Sequence, residues 1–294
     1  MLQLMAEMPF FFIAIVFAFA LLVGSFLNVV VYRLPIMMER EWREQAREID
    51  NMPVNDVPEE NFNLITPRSR CPSCGAAISA WQNVPVISYL VLGGRCGNCK
   101  TSIGARYPIV EFVTGLLCAV TAWRFGFGPE AVMAVFMTLM LVPITLIDAD
   151  HQIIPDSIVY PLLWVGLLMS LWAPMASSDV LFIEPGQAIL GAVVGYLSLW
   201  SVYWLFKLVT GKEGMGHGDF KLLAALGAWL GWQALPTIIL MSAVVGAVFG
   251  VAMIALRGRD RSVPMPFGPF LAAAGWITML YGETIRLAYI ELMF

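Results

Sequence analysis

The sequence predicts an all-α polytopic membrane protein, with about eight transmembrane helices and a small zinc-stapled insert. Three observations predict it. Hydrophobic residues make up 59% of the 294-residue chain and charged residues only 13%, against about 25% charged in a soluble domain; mean hydropathy is +0.77. Apolar runs of about 17 to 25 residues, long enough to span a bilayer, recur along the chain. One 75-residue polar stretch, 32–106, interrupts them and holds four of the five cysteines. The net charge of −4 and the lack of a basic tract leave no nucleic-acid footprint. No cleavable signal peptide is expected, because the first apolar run lacks a basic start and a small-residue cleavage site.

The first span is expected at 9–31, its Gly24, Ser25 and Asn28 facing other helices rather than lipid. The insert follows. Its first part, EREWREQAREID at 39–50, alternates acids and arginines and predicts a short exposed helix or an interfacial segment. Spans resume at 107–125, 131–147, 157–172, 186–208, 220–230, 235–256 and 267–290. The run 220–230 is short for a straight crossing and is counted as one with Asp219 and Lys221 at its edge. The chain thus divides into a first helix (1–31), an insert (32–106) and a seven-helix membrane domain (107–294). Basic residues favour the cytoplasmic side. With the insert there, 15 of the 17 Lys and Arg fall on one side, leaving Arg124 and Arg286 opposite. Both termini are then expected outside, and the insert and the glycine loop inside.

Two constellations carry chemistry. In the insert, Cys71-Pro-Ser-Cys74 and Cys96-Gly-Asn-Cys99 form two CxxC pairs separated by 21 residues. Four thiolates so spaced fit a closed tetrahedral zinc that staples a lobe too small for its own core, with no open position for catalysis. Glycines after Cys74 and Cys96 suit the knuckle turns. A pair of redox dithiols is the alternative, disfavoured on the cytoplasmic side. Cys118, alone in a span, reads as a small buried hydrophobe.

The second constellation is acidic. Gly211 to Gly218 holds four glycines and runs into Asp219, Phe220, Lys221 and an apolar helix. The third span ends in LIDADHQIIPDS, placing Asp148, Asp150, His151 and Asp156 on the same side as Asp219. Acids at a membrane edge are costly and point to function. Asp148 and Asp219, one from each half of the bundle, are expected to face each other. Two carboxylates sharing a site do not both ionise cheaply, which suits an acid–base pair activating water for peptide hydrolysis. Structural readings stay open beside this one: Asp156 and Asp219 as N-caps, Asp150 as a solvated loop acid, and both histidines as polar loop residues. A proton-relay transporter using Asp148, Asp150 and Asp219 is a rival, although it predicts symmetric halves and acids at the midplane. A membrane anchor for the zinc lobe is another, but it leaves the glycine loop and the acids unexplained.

With SFLNVVVYRLP (25–35), both CxxC pairs, YPIVEF (107–112), IDADHQIIPD (147–156) and GMGHGDFKLLAALGAWLG (214–231), the sequence resembles the bacterial type IV prepilin peptidase family of GxGD intramembrane aspartyl proteases over nearly its whole length. GxGD is here Gly216-His217-Gly218-Asp219, and Asp148 matches the family's other catalytic aspartate; Gly216, Gly218, Asp150 and Lys221 are expected to support the site. The resemblance implies an inner-membrane enzyme that cleaves the basic leader of type IV prepilins and pseudopilins after glycine. It then methylates the new N-terminus with S-adenosylmethionine; no metal is implied in the proteolysis. For methyl transfer, a carboxylate is expected near the sulfonium. Glu111 in the second span is the candidate, with a polar helix contact as its equal alternative, and Gly93 and Gly94 permit close cofactor approach. No Rossmann fingerprint is present.

Overall fold

The structure, a computed structural model, describes residues 2–49, 62–172, 181, 183–257 and 265–293. Asp50, Arg259 and Arg261, which entered the reading of sequence and charge, lie outside the described residues. The chain divides into two compact units, Met1–Trp123 and Arg124–Phe294. Among the described residues there is no strand, only two isolated bridges.

In the first unit, α1 (Leu2–Glu7) precedes α2 (Pro9–Ile49), and a 3-10 turn (Ala80–Asn83), α3 (Ile87–Val91) and α4 (Arg106–Phe125) follow. The expected first span and the acid–arginine segment are one continuous helix of 41 residues, about 61 Å long and twice the hydrocarbon thickness. Pro35 lies inside it and does not end it. Beyond it, Arg43 pairs with Glu39 one turn back at 2.5 Å, on an exposed face.

Helices α2 and α4 pack antiparallel. Gly24 lies where a Cβ would come 3.0 Å from the Glu111 Cα, and four residues on, Asn28 Nδ2 donates to Tyr107 O at 3.1 Å. Small and amide side chains let membrane helices approach and bond in this way. Buried Arg33 donates to Asn63 O at 2.8 Å and Pro67 O at 2.6 Å and lies over the Phe62 ring, tying the next described segment back to α2.

The second unit holds α5 (Pro129–His151), α6 (Asp156–Ser170), α7 (Pro185–Thr210), α8 (His217–Leu230), a 3-10 turn (Trp232–Ala234), α9 (Leu235–Arg257) and α10 (Gly268–Met293). Its centre is α8. Every residue from Phe220 to Trp229 except Lys221 is buried, as expected of a helix apolar all round. Gly191 and Gly195 of α7, one turn apart, press on α8. Gly191 faces the Gly227 backbone, and a Cβ at Gly195 would lie 2.6 Å from Leu223 O. This small-xxx-small contact brings the two backbones together. On other sides, Trp229 donates to Leu162 O of α6 at 2.7 Å and stacks on Phe136 of α5, and Leu226 packs against Gly275 of α10.

Helices stand at all eight expected places, but eight crossings are not confirmed. Among the described residues, five helices are long and apolar enough to cross a membrane: Pro9–Ile49, Arg106–Phe125, Pro129–His151, Pro185–Thr210 and Trp232–Leu256. Helix α8 has 14 residues, about 21 Å against a hydrocarbon core of about 30 Å, and α6 has 15. Buried from Phe220 to Trp229 apart from Lys221, α8 needs no lipid-spanning length.

The α7–α8 contact makes a prediction. Gly195→Val should lower the thermal midpoint in detergent, an overpacking cost of about 1–3 kcal/mol or more. Gly186→Ala, with open space around its Cβ, should leave the midpoint unchanged in the same measurement.

Candidate functional site

Asp148 lies in the last turn of α5, which leaves the helix through Gln152 in a left-handed conformation whose N–H bonds Asp148 O at 2.8 Å. Asp219 is the third residue of α8, whose N-cap is Gly216. It is therefore not itself the cap; its backbone N–H bonds Gly216 O at 3.3 Å. Both side chains are buried, at 5% and 6% exposure, and close enough to act on each other electrostatically. Asp148 sits at the negative end of one helix dipole and Asp219 at the positive end of another, so the pair lies in an uneven field.

Their partners differ. Asp148 Oδ2 accepts the Gly268 N–H at 2.9 Å, while Asp219 Oδ1 is buried with no hydrogen-bond partner among the described residues. An orphaned buried carboxylate oxygen is costly, and it marks where a further polar group belongs.

The walls are built from glycine. A Cβ at Gly268 would lie 2.6 Å from Asp148 Oδ2 and 2.9 Å from Ile154 Cδ1, and one at Gly218 would lie 2.7 Å from Ile154 Cβ. Ile154 thus wedges between two glycines from elements far apart in sequence. Sequence reasoning missed Gly268 and Ile154. The Gly268-Pro269 step opening α10 was a usable signal; Ile154 in IDADHQIIPD carried none. Gly216 is different: a Cβ there would lie 3.7 Å from Asp219 Oδ2, ordinary contact, so sterics alone do not require glycine.

Asp156 does not cap α6 with its side chain; Pro155 is the N-cap. Its two carboxylate oxygens accept Lys221 Nζ at 2.7 and 2.8 Å, and the ammonium also lies over Tyr160. Lys221, two residues past Asp219, therefore ties the start of α8 to the start of α6. Asp150 is exposed near the end of α5, as is His151. His217 packs against Tyr203 and Phe220 rings.

In the first unit, the Sγ atoms of Cys71, Cys74, Cys96 and Cys99 lie within 4.8 Å of one another, with Cys71 and Cys99 3.8 Å apart. Thiolates about 2.3 Å from a tetrahedral zinc stand about 3.8 Å from each other, so the set fits a metal. The two knuckles repeat one backbone pattern. Cys71 N bonds Ala76 O and Gly75 N bonds Cys71 O; Cys96 N bonds Thr101 O and Lys100 N bonds Cys96 O. Bridges at Arg70↔Ala77 and Arg95↔Ser102 close each loop. The left-handed position is Gly75 (φ 69°) in the first and Lys100 (φ 62°) in the second. The expected role of Gly97 as the turn glycine is therefore taken by a lysine. Thr101, by its hydroxyl and then its backbone, draws the exposed Cys99 thiol down to about 6, favouring the thiolate a metal needs. Cys118 is fully buried away from this cluster.

Glu111 is buried in α4, and its Oε2 accepts the Val86 N–H at 2.8 Å, at the start of α3. Gly93 and Gly94, both left-handed (φ 62° and 66°), form the exit from the other end of α3. These three residues belong to one lobe, but they stand at opposite ends of that helix.

The sequence comparisons agree with this division. The family model for the bacterial peptidase A24 N-terminal domain matches residues 18–125, and that for the type IV leader peptidase family matches residues 131–251. The prepilin leader peptidase/N-methyltransferase of Stutzerimonas stutzeri is 52% identical over 98% of this chain and 97% of that protein. The protein of the same name from Pseudomonas aeruginosa is 52% identical over 99% and 98%. That from Dichelobacter nodosus is 46% identical over 91% of each. No solved structure matches. With relatives this similar over nearly its whole length, the chain belongs to the type IV leader peptidase family, beside the prepilin leader peptidase/N-methyltransferases.

Proposed function

We propose that the chain is a bifunctional prepilin leader peptidase and N-methyltransferase of the inner membrane, whose peptidase site is Asp148 and Asp219. The carrying observation is the buried carboxylate pair with one orphaned oxygen. The relatives bear both activities in their names.

Two carboxylates in one site hold one proton between them and titrate as a unit. Water placed between them loses a proton to the ionised carboxylate as its oxygen attacks the scissile carbonyl carbon. The protonated carboxyl gives its proton to the carbonyl oxygen. Collapse of the tetrahedral intermediate breaks the C–N bond, and the departing amine takes up a proton from the pair. The Gly268 N–H holds Asp148 in position, and the Lys221–Asp156 pair fixes the start of α8 that carries Asp219. Asp150 lies on the exposed approach. Gly216, glycine without steric need, leaves room for an extended leader peptide beside Asp219. The leader's basic residues, and the charge bias of the loops, favour a site on the cytoplasmic face with both termini outside. Prepilin and pseudopilin segments are the expected substrates.

Zinc is the metal assigned to Cys71, Cys74, Cys96 and Cys99, in a structural role. S-Adenosylmethionine would supply an electrophilic methyl group to the new amino terminus. The buried carboxyl side chain of Glu111 suits a sulfonium neighbour, and Gly93, whose surroundings are open, leaves backbone accessible beside Gly94.

Asp148→Asn and Asp219→Asn should each abolish prepilin processing while retaining fold and metal; full cleavage by either in a purified assay would refute the pairing. Elemental analysis should find about one zinc per chain, and a folded, active, zinc-free preparation would overturn the metal assignment. Glu111→Gln should impair methylation while sparing cleavage, read by mass of the processed N-terminus; equal loss of both would make Glu111 a structural group.

A further inference from the structure

The lobe formed by the insert exposes an apolar face that the two activities do not use. Ile87, Leu90 and Val91 of α3 are 60%, 70% and 72% exposed, and Trp81 and Val84 just before them are exposed too. Ile87, Leu90 and Val91 stand at i, i+3 and i+4, one side of a helix. The other side is occupied: Tyr89 Oη donates to Ile103 O at 3.4 Å and abuts Gly94, and Leu92 packs toward Gly97 of the second knuckle. The apolar row therefore points away from its own lobe. Soluble surfaces rarely leave such residues contiguous and uncovered.

One hydrogen bond sets the depth of this face. Val86 N–H, immediately before α3, bonds the Glu111 carboxylate. Glu111 lies five residues past Arg106, the first residue of α4, about 7.5 Å along the helix axis. Helix α4 has 20 residues, about the number needed to cross the hydrocarbon core with none to spare. The register with α2 agrees: Asn28 meets Tyr107 and Gly24 meets Glu111, so Arg33, the first charged residue beyond the apolar run of α2, falls outside the start of α4. With α4 placed across the hydrocarbon core, the Arg33 and Arg106 levels would bracket its boundary, and Glu111, with Val86, would lie inside it. On α4 itself, Tyr107, Ile109, Phe112 and Val113 are exposed as well. Exposed Arg95 and Lys100 on the adjoining knuckle suit anionic headgroups.

We propose that α3 and the turn before it are embedded in the leaflet facing the insert, with Trp81, Val84, Ile87, Leu90 and Val91 in contact with phospholipid acyl chains. The zinc lobe is then seated on the bilayer through an apolar wedge. This fixes its height relative to the membrane, and it holds whether or not the assigned catalytic residues are correct.

The test uses the unmodified full chain in vesicles of phosphatidylethanolamine and phosphatidylglycerol containing a phospholipid with a photoactivatable diazirine on its acyl chain. Irradiation and peptide mapping should place lipid adducts on 87–91 at a level comparable to 107–113 of α4, and at least about tenfold above the knuckle tips around Asn98. Adducts on α4 without adducts on α3 would overturn the proposal. So would strong labelling of α3 by a water-soluble diazirine, or covalent links from α3 to a second copy of the chain in place of lipid.

Discussion

The backbone contact between α7 and α8 is the constraint on which the second unit depends. Gly191 and Gly195 allow α8 to lie against α7 so closely that no side chain would fit at either position, and this closeness lets most of a 14-residue helix be enclosed. Enclosure in turn gives Asp219 its character. A carboxylate in the first turn of an exposed helix would be solvated and ordinary. Here the helix is buried over Phe220 to Trp229 apart from Lys221, and Asp219 in its first turn is buried, as Asp148 is. Trp229, at the far end of α8, is gripped by the Leu162 carbonyl and the Phe136 ring. The helix is thus pinned at both ends, by Trp229 and by the Lys221–Asp156 pair.

The first unit is organised by a different physics. Its lobe has little core, and order comes from paired knuckles, the Arg33 grip on the carbonyls of Asn63 and Pro67, and the Glu111–Val86 bond. A metal at the four thiolates would add binding free energy to this framework in the way small metal-stapled domains require. The units also correspond to the two matched family segments, 18–125 and 131–251.

Much of this was legible in the sequence, for definite reasons. The CxxC spacing specifies a thiolate cluster because its chemistry depends on local geometry. Asp148 and Asp219 stood out by their cost in an apolar chain, and both are buried. What escaped depended on long-range contact. Gly268 meets Asp148 from 120 residues away, and Ile154 acquires its role only by being wedged between two distant glycines. The break expected between the first span and the charged segment does not occur, because Pro35 is accommodated inside α2. The count of eight crossings rested on hydropathy, which does not distinguish a helix facing lipid from one shielded by protein, as α8 is. Asp156 read as a cap because it follows Pro155, yet Lys221 across the fold claims it.

The central claim is that Asp148 and Asp219 work as one unit. The most direct test compares prepilin cleavage rates of Asp148→Asn, Asp219→Asn and the double variant, each shown to be folded. Residues acting as a unit are strongly non-additive: the account predicts that the double variant is no slower than either single variant. Single variants that retain partial, independent activities, with losses that multiply in the double variant, would contradict it.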